Sequence, residues 1–302
     1  MKQPFILMSC ILISCSNKSA PSNATTEVTN FDKEGHRGCR GLMPENTIPA
    51  FEKAISLGVT TLEMDAMITK DKQVIISHDP FFSPEITTKP DGSYVTESEE
   101  KSLKIYGMTY EQTQQYDVGL KPHPRFPMQQ KLKVHKPKLS DVIDSAEAYT
   151  KAKNLPPIQY NIETKSTAPT DDINHPKPVE FVELIMAIVK EKQIEQRVII
   201  QSFDMRTLQY LHVKYPSIRT AYLFEPPSLS SFSSRLKELG FTPTIYSPDY
   251  TTLTPAIMKQ CKDLGILVIP WTVDDLAKMQ ELKNMGVDGL ISDYPDLYKQ
   301  LK

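Results

Sequence analysis

The chain has 302 residues, of which 39% are hydrophobic and 24% charged, so it can bury one large core or two small ones. Its formal net charge is −2 with both signs interspersed, which argues against the basic field of a nucleic-acid-binding protein and against a polybasic membrane surface. A small molecule is therefore the expected partner, and the sequence does not indicate an oligomeric state.

The N-terminal leader, MKQPFILMSCILISC, has one lysine followed by a short apolar run. The run is too short for a permanent membrane anchor and indicates an export signal over residues 1–15, with an uncleaved leader or a misassigned start as the alternative. Leu12 to Cys15 resemble the lipobox of bacterial lipoproteins. The resemblance implies that lipidated Cys15 anchors the protein in the cell envelope, as a periplasmic or outer-membrane lipoprotein, whereas cleavage without lipidation would secrete it.

A polar segment and two cysteines lie downstream of the predicted export signal. Residues 16–30 are rich in Ser, Thr, Asn and Pro, which predicts a solvated tether ahead of one domain over residues 31–302. In the mature chain Cys39 and Cys261 would remain, and the sequence does not show whether they pair. Their spacing does not match a zinc site built on cysteines.

Beyond the tether, short β-rich apolar runs alternate with longer helical patterns. This alternation without an internal linker favours one (β/α)₈ barrel, a TIM barrel, over an open doubly wound sheet. The predicted strands cover residues 34–38, 61–68, 74–78, 158–165, 198–203, 220–224, 244–247, 267–273 and 289–292. The predicted helices cover residues 48–57, 139–151, 179–192, 205–214, 229–239, 255–264 and 274–285.

Two segments break the alternation between strands and helices. Only residues 70–72 separate the runs TTLEMDAMIT and QVIISHD, which contain the second and third predicted strands; this is too short for a crossover helix and predicts a hairpin. With a two-residue turn at 71–72, Asp65 would lie opposite His78. The segment from about 81 to 138 is rich in Pro, Lys, Thr and Gln without a clear period, and predicts an inserted loop or small cap.

Three carboxylates lie in strand-like runs whose other face is apolar. Glu63 and Asp65 share one face of the second strand, and Glu163 shares a face with Lys165 in the run NIETK. Acids inside a barrel are costly unless a cation neutralises them. Together they predict a site for one divalent cation, Mg²⁺ or Ca²⁺ with Mn²⁺ also accepted, although any one alone could be an ordinary salt-bridged acid.

Two of the six histidines, His36 and His78, stand at predicted strand ends. Histidine is the usual proton carrier near neutral pH. Arg37 and Lys165 can bind an anion. Together with the three acids, these residues suit displacement at a phosphodiester.

Six motifs occur in order along the chain: HRGCRGLMPENT, LEMDAMITKDKQVIISHD, NIETK, QSF, PWTVDD and DGLISDYP. They resemble the successive motifs of the glycerophosphodiester phosphodiesterase family, over about Gly35 to Pro295. The resemblance implies a TIM barrel with an insertion after the third strand. It also implies metal-dependent hydrolysis of glycerophosphodiesters to glycerol 3-phosphate and an alcohol.

The resemblance implies a role for each matching position. The general acid and base would be the two histidines, His36 and His78, in either order. The substrate binders would be Arg37, Lys165 and Trp271. The metal ligands would be Glu63, Asp65 and Glu163. Glu45 and Asn46 are expected to hold Arg37 and the metal acids through hydrogen bonds. Cys39 and Arg40 depart from the family pattern and are expected to add a thiol and a positive charge near the phosphate.

Two other functions compete with this one. A lysophospholipase D-like enzyme would use the same barrel and metal on lipid substrates, which the polar, basic insertion does not favour. A catalytically dead binding barrel should lack at least one of the two histidines and three acids, and all five are present.

Overall fold

The computed structural model describes residues 31–226 and 231–302. The predicted leader, tether and lipidation site at Cys15 lie outside the described residues. The described strands are β1 (Asp32–Gly35), β2 (Thr61–Ile68), β3 (Val74–Ile76), β4 (Gln159–Thr164), β5 (Val198–Ser202), β6 (Arg219–Phe224), β7 (Ile245–Pro248), β8 (Leu267–Val268) and β9 (Gly289–Ser292). The described α-helices are α1 (Ile48–Leu57), α2 (Glu97–Glu100), α3 (Tyr110–Thr113), α4 (Leu139–Ala152), α5 (Pro178–Glu191), α6 (Met205–Lys214), α7 (Phe232–Leu239), α8 (Pro255–Leu264) and α9 (Leu276–Met285).

Eight parallel strands form the barrel in the order β8-β7-β6-β5-β4-β2-β1-β9. The two outer strands of this order also meet, because Asp288 N donates to Val268 O at 2.9 Å and Ile291 N donates to Pro270 O at 3.0 Å. Pro270 has no N–H to donate, which explains why β8 is shorter than predicted. The predicted (β/α)₈ barrel is thus confirmed, and the open sheet is excluded.

Helix packing and strand burial build the core. Helix α1 buries Phe51 and Ile55 on its inner face, and α5 buries Phe181 and Ile185 at the same helical spacing. Each such side chain contributes about 1.5–3 kcal/mol when fully buried.

Both cysteines of the barrel, Cys39 and Cys261, are buried free thiols. Within the described residues no helix is long and apolar enough to cross a membrane.

The β2–β3 hairpin has the predicted antiparallel pairing but a different register. Ala66 pairs with Ile76, and Ser77 N donates to Asp65 O at 2.8 Å, so Asp65 lies opposite Ser77 rather than His78. The loop is three residues long and ends in Lys72 at φ 61°. Three-residue hairpin loops of this kind end in a left-handed residue, and the additional loop residue moves the pairing by one position.

The insertion follows β3 and precedes α4, as predicted, and it is packed rather than loose. Its apolar side chains form a small cluster with two residues of the hairpin, Met67 and Ile75. The end of the insertion returns beside β3, where Lys138 forms an antiparallel bridge with Ile75, and Ile76 N donates to Pro137 O at 2.9 Å. This pairing fixes the returning chain next to the turn that carries His78.

Candidate active site

The three predicted metal ligands converge at the carboxyl ends of two adjacent parallel strands. Asp65 on β2 pairs in register with Glu163 on β4, and Glu63 lies two residues before Asp65 on the same face. One oxygen from each carboxylate lies within 4.8 Å of the others, and all three residues are buried. This set of oxygen donors fits a hard divalent cation. The carboxyl end of the strands is also where barrel enzymes place their sites.

The acids of this triad differ in protonation. Burial and the nearby charge of Asp65 raise the pKa of Glu63 well above its usual range. Burial would also raise the pKa of Asp65, but Arg37, His78 and Lys165 lower it below its usual value. Asp65 is therefore ionised while Glu63 tends to keep a proton. A bound cation would favour the ionised form of both.

Arg37 lies inside the acid cluster, in a left-handed conformation with φ 49°. Its backbone N donates to Glu63 Oε2 at 2.8 Å, and its Nη1 donates to Glu45 Oε1 at 2.9 Å. Its Nε lies 3.3 Å from Asp65 Oδ2, which also accepts from Asn46 Nδ2 at 2.8 Å. Glu45 and Asn46 thus make the hydrogen bonds expected from the sequence.

Lys165, the other predicted phosphate binder, lies against two of the acids. Its Nζ is 2.9 Å from Glu163 Oε1 and 3.7 Å from Asp65 Oδ1. Its side chain is 18% exposed, compared with 1% for Asp65. The ammonium therefore lies on the more open side of the cluster, where it offsets negative charge and can be reached by a ligand.

His36 is held through its Nδ1 atom. This atom lies 2.7 Å from Asp293 Oδ1, and Asp293 also accepts from Arg40 Nε at 2.8 Å and Nη2 at 2.7 Å. Burial would raise the pKa of Asp293, but His36 and Arg40 lower it, so Asp293 is ionised and can only accept. The hydrogen of neutral His36 therefore resides on Nδ1, and its Nε2 lone pair is 3.9 Å from Glu63 Oε2. Burial lowers the pKa of His36 to about 4, which keeps the ring neutral.

His78 is held in the same way by the next residue. Its Nδ1 is 2.9 Å from Asp79 Oδ1, and its side chain is 33% exposed. Burial would raise the pKa of Asp79, but the hydrogen bond from His78 and the charges of His78 and Lys136 lower it. Ionised Asp79 accepts from Nδ1, so Nε2 is the atom of His78 left for chemistry.

The structure places Arg40 and Cys39 differently from expectation. The guanidinium of Arg40 forms two hydrogen bonds with Asp293 and packs over the Phe126 ring, with 5.0 Å from Cζ to the centroid, so it supports His36 instead of adding charge at the phosphate. Cys39 is 0% exposed and its thiol donates to Ala50 O at 3.3 Å, beneath α1. The tight turn after His36 sends these two side chains to opposite sides of the loop.

Sequence reasoning missed two residues near the site. Gln201 on β5 donates from Nε2 to Glu63 Oε1 at 2.7 Å. Lys136, in the returning end of the insertion, is buried within the electrostatic reach of Asp79 and Asp65. The strand pattern could have placed Gln201 inside the barrel, but it offered no sign of Lys136.

Trp271 stands at the rim, where the chain leaves β8. Its Nε1 donates to Ser247 O at 2.8 Å, and its ring meets Phe203 edge-on with 5.7 Å between centroids. The two rings form an apolar wall at the carboxyl ends of the strands. Ser202 and Ser292 also lie at strand ends: Ser202 Oγ accepts from Thr164 Oγ1 at 2.8 Å, and Ser292 Oγ donates to Asp274 Oδ1 at 3.2 Å.

Comparisons with known proteins agree with this geometry. Residues 36–297 match the Glycerophosphoryl diester phosphodiesterase family. A glycerophosphodiester phosphodiesterase from Bacillus subtilis (strain 168) is 30% identical over 278 residues, which cover 88% of this chain and 85% of that protein.

Solved structures show the same fold. A crystal structure from Silicibacter pomeroyi DSS-3, assigned to the glycerophosphoryl diester phosphodiesterases, superposes with a TM-score of 0.78 at 28% identity, over 89% of this chain and 94% of that one. An Oleispira antarctica phosphodiesterase in complex with the product sn-glycerol-3-phosphate has a TM-score of 0.69 at 21% identity, over 89% of this chain and 96% of that one. The chain therefore belongs to the glycerophosphoryl diester phosphodiesterase family, whose members are phosphoric diester hydrolases.

Proposed function

We propose that this protein is a metal-dependent enzyme that hydrolyses glycerophosphodiesters to glycerol 3-phosphate and an alcohol. The observation that carries the proposal is the buried triad of Glu63, Asp65 and Glu163, with one oxygen from each within 4.8 Å of the others, beside two histidines whose Nε2 atoms are free. The Oleispira antarctica phosphodiesterase, which shares the fold, was solved with the product that we propose here.

The acid triad would hold one divalent cation, Mg²⁺ or Ca²⁺, with Mn²⁺ as a chemically similar substitute. When bound, such a cation supplies positive charge that stabilises the phosphoryl oxygens as they become more negative. Arg37 and Lys165 bind the same oxygens from the protein side. Because their charged groups already lie within the buried cluster, they need little reorganisation during the reaction.

The two histidines divide the proton transfers. Neutral His36 accepts at Nε2 the proton of the attacking hydroxyl, which belongs either to water or to the adjacent glycerol carbon. Attack by the glycerol hydroxyl would form a cyclic phosphate, which water then opens to glycerol 3-phosphate. His78 acts as the imidazolium: its Nδ1–H is held by Asp79, and its Nε2–H is the proton given to the oxygen of the departing alcohol. Trp271 and Phe203 place an apolar wall at the rim, against which the carbon atoms of glycerol can pack.

The proposal is tested with purified protein that lacks residues 1–15. The substrates are glycerophosphocholine, glycerophosphoethanolamine, glycerophosphoglycerol and glycerophosphoinositol, with lysophosphatidylcholine as the acylated comparison. We expect release of glycerol 3-phosphate from the deacylated substrates, loss of activity in EDTA, and recovery with Mg²⁺, Ca²⁺ or Mn²⁺. His36→Ala and His78→Ala should each lower kcat on the order of 10²- to 10⁴-fold.

The same panel separates the competing functions. Undiminished turnover after chelation would disprove the metal role, and full activity of either histidine variant would disprove its proton transfer. Preference for the acylated substrate would favour the lysophospholipase D-like enzyme. Binding of a glycerophosphodiester without turnover would identify a binding barrel. As a metal readout that needs no turnover, Glu163→Gln should lose the rise in Tm that a divalent cation gives the wild type.

We further propose that lipid on Cys15 anchors the enzyme in the cell envelope. The proposal is supported by the apolar leader and by the sequence Leu12-Ile13-Ser14-Cys15. In a bacterial host, the full chain should incorporate labelled palmitate and partition into membranes, and Cys15→Ala should do neither. Labelling that persists in Cys15→Ala would refute attachment at this residue.

A further inference from the structure

Lys136 is a buried cation that the insertion places beside the active site. The residue is 5% exposed, although lysine is among the residues least often buried. The bridge between Ile75 and Lys138 fixes this part of the insertion against β3. The ammonium of Lys136 lies over the Phe82 ring, with 5.4 Å from Nζ to the centroid. Its position is therefore set by backbone pairing and by packing.

The ammonium is connected to the turn that carries His78. Nζ of Lys136 donates to Ser77 Oγ at 2.8 Å, and Ser77 Oγ donates to Asp79 O at 2.7 Å. The carboxylate of Asp79 in turn accepts from His78 Nδ1 at 2.9 Å. A continuous set of hydrogen bonds and one peptide segment thus runs from the insertion to the imidazole of His78.

The charges around Lys136 point to the same partner. Burial lowers the pKa of the Lys136 ammonium; among its charged neighbours Asp79 opposes this most strongly, followed by Glu45 and Asp65, whereas Arg37 lowers the pKa further. Among the described residues, no ion pair within 4.0 Å joins Lys136 to a carboxylate. The cost of a buried cation without a contacting counter-ion is several kcal/mol. An apolar side chain at this position would avoid this cost. A lysine here therefore indicates a role that uses the positive charge.

We infer that Lys136 is a positioning residue for His78, holding the Ser77–Asp79 turn and the ionised Asp79 carboxylate so that Nε2 of His78 faces the departing alcohol. This inference rests on the proposed function, in which His78 protonates that alcohol. In this arrangement the insertion contributes Lys136 to the active site, in addition to packing against the β2–β3 hairpin. Because Lys136 acts through Ser77 and Asp79, it need not touch the substrate.

The test compares two leaving groups in Lys136→Met, which keeps an unbranched apolar stem and removes the charge. Glycerophosphoethanolamine releases an alcohol that needs a proton, whereas the p-nitrophenyl ester of glycerol phosphate releases a stable anion. We expect kcat for the first substrate to fall on the order of 10- to 100-fold with KM nearly unchanged, and kcat for the second to change less than about threefold. Lys136→Arg should recover part of the loss.

Matched variants separate positioning from general destabilisation. Lys138→Met removes a cation two residues away, which lies over the Tyr110 ring at 4.5 Å, and should behave as wild type. Ser77→Ala should show the same leaving-group pattern as Lys136→Met, and the double variant should lose less than the two single losses combined, because both act through one connection.

A spectroscopic readout does not depend on turnover. In its neutral form, His78 should show the ¹⁵N NMR signals of a single Nδ1–H tautomer in the wild type and of a mixture of tautomers in Lys136→Met. Equal losses of kcat on both substrates, or an unchanged His78 tautomer, would overturn the inference. Wild-type protein that hydrolyses neither substrate would instead refute the proposed function, and the NMR comparison would still decide the role of Lys136.

Discussion

In both His36 and His78 an aspartate holds Nδ1, which leaves Nε2 for chemistry. The two arrangements differ in their support. Asp293 is braced by two hydrogen bonds from Arg40 and lies far from His36 in sequence, whereas Asp79 is the neighbour of His78. His36 is therefore the more rigidly held and more deeply buried of the two, which suits a neutral base.

Replacing Asp293 should specifically impair His36. In Asp293→Asn the amide can donate to Nδ1, which moves the imidazole hydrogen to Nε2 and removes the lone pair that we propose as the proton acceptor. By analogy with the aspartate of serine-protease triads, kcat should fall on the order of 10³- to 10⁴-fold while the fold persists. Steady-state kinetics with glycerophosphocholine and a thermal melt check this.

The matched control for that variant is Asp263→Asn on the exposed face of α8, where the carboxylate forms a surface ion pair with Lys259. It should keep wild-type kinetics. Near-wild-type kcat in Asp293→Asn would show that another group sets the tautomer of His36.

At the scale of single elements, the C-terminal ends of the helices show a position whose residue type does not suit its left-handed backbone conformation. Helices α1, α7, α8 and α9 are each followed by a glycine in the left-handed conformation. Helix α5 ends in the same kind of motif, since Ile194 N donates to Val189 O at 3.2 Å and Gln193 N donates to Lys190 O at 3.1 Å. Its left-handed residue, however, is Gln193 at φ 55°. A side chain in this conformation costs about 1–2 kcal/mol.

Gln193→Gly should therefore stabilise the protein. Part of the relief is offset by the greater freedom of glycine in the unfolded chain, so we expect a gain of about 0.5–1 kcal/mol in the free energy of unfolding. For a domain of this size that corresponds to a rise of roughly 1–4 °C in Tm. Gln193→Ala, which keeps a Cβ at the same position, should give no such gain; equal melting of the Gly and Ala variants would contradict the prediction.

Across the whole barrel, a chain of polar side chains crosses the interior from β1 to the acid triad. Asn161 donates to Glu34 at 2.8 Å and to Gln201 at 3.1 Å, and Gln201 donates to Glu63 at 2.7 Å. Burial, together with the charge of Asp32, raises the pKa of Glu34 well above its usual range. Among the described residues, Glu34 Oε1 has no hydrogen-bond donor. A protonated Glu34 can donate to the Asp32 carboxylate, so we expect the folded protein to bind a proton that the unfolded chain releases.

The stability of the wild type should consequently fall as pH rises above about 4.5, where an exposed glutamate ionises. The folded state keeps the proton on Glu34 and the unfolded state loses it, so this residue contributes a slope of up to about −1.4 kcal/mol per pH unit. Glu34→Gln cannot titrate, and its stability relative to wild type should increase with pH. Urea unfolding of both proteins at pH 5, 7 and 9 measures the difference; a constant difference would show that Glu34 is ionised in the folded state.

Much of the fold was predictable because the signals for it are local. Apolar periodicity identified every barrel strand and every long helix, and the two-residue repeat of a strand placed Glu63 with Asp65 on one face. The hairpin register was wrong by one residue because it depends on whether the loop takes two or three residues. The partners of Arg40 and Lys136 could not be predicted, since they lie 253 and 59 residues away in sequence.

The sequence by itself thus determined the order of strands and helices, the barrel class, and the residue types available for binding a cation, binding phosphate and transferring protons. Only the tertiary structure decided which partner each polar side chain has. It directed Arg40 to Asp293 instead of the phosphate, buried Cys39 under α1, and brought Lys136 to the turn of His78. The physical reason is that periodicity and turn chemistry act over a few residues, whereas hydrogen bonds and charge pairs in a barrel join strand ends and insertions distant in sequence.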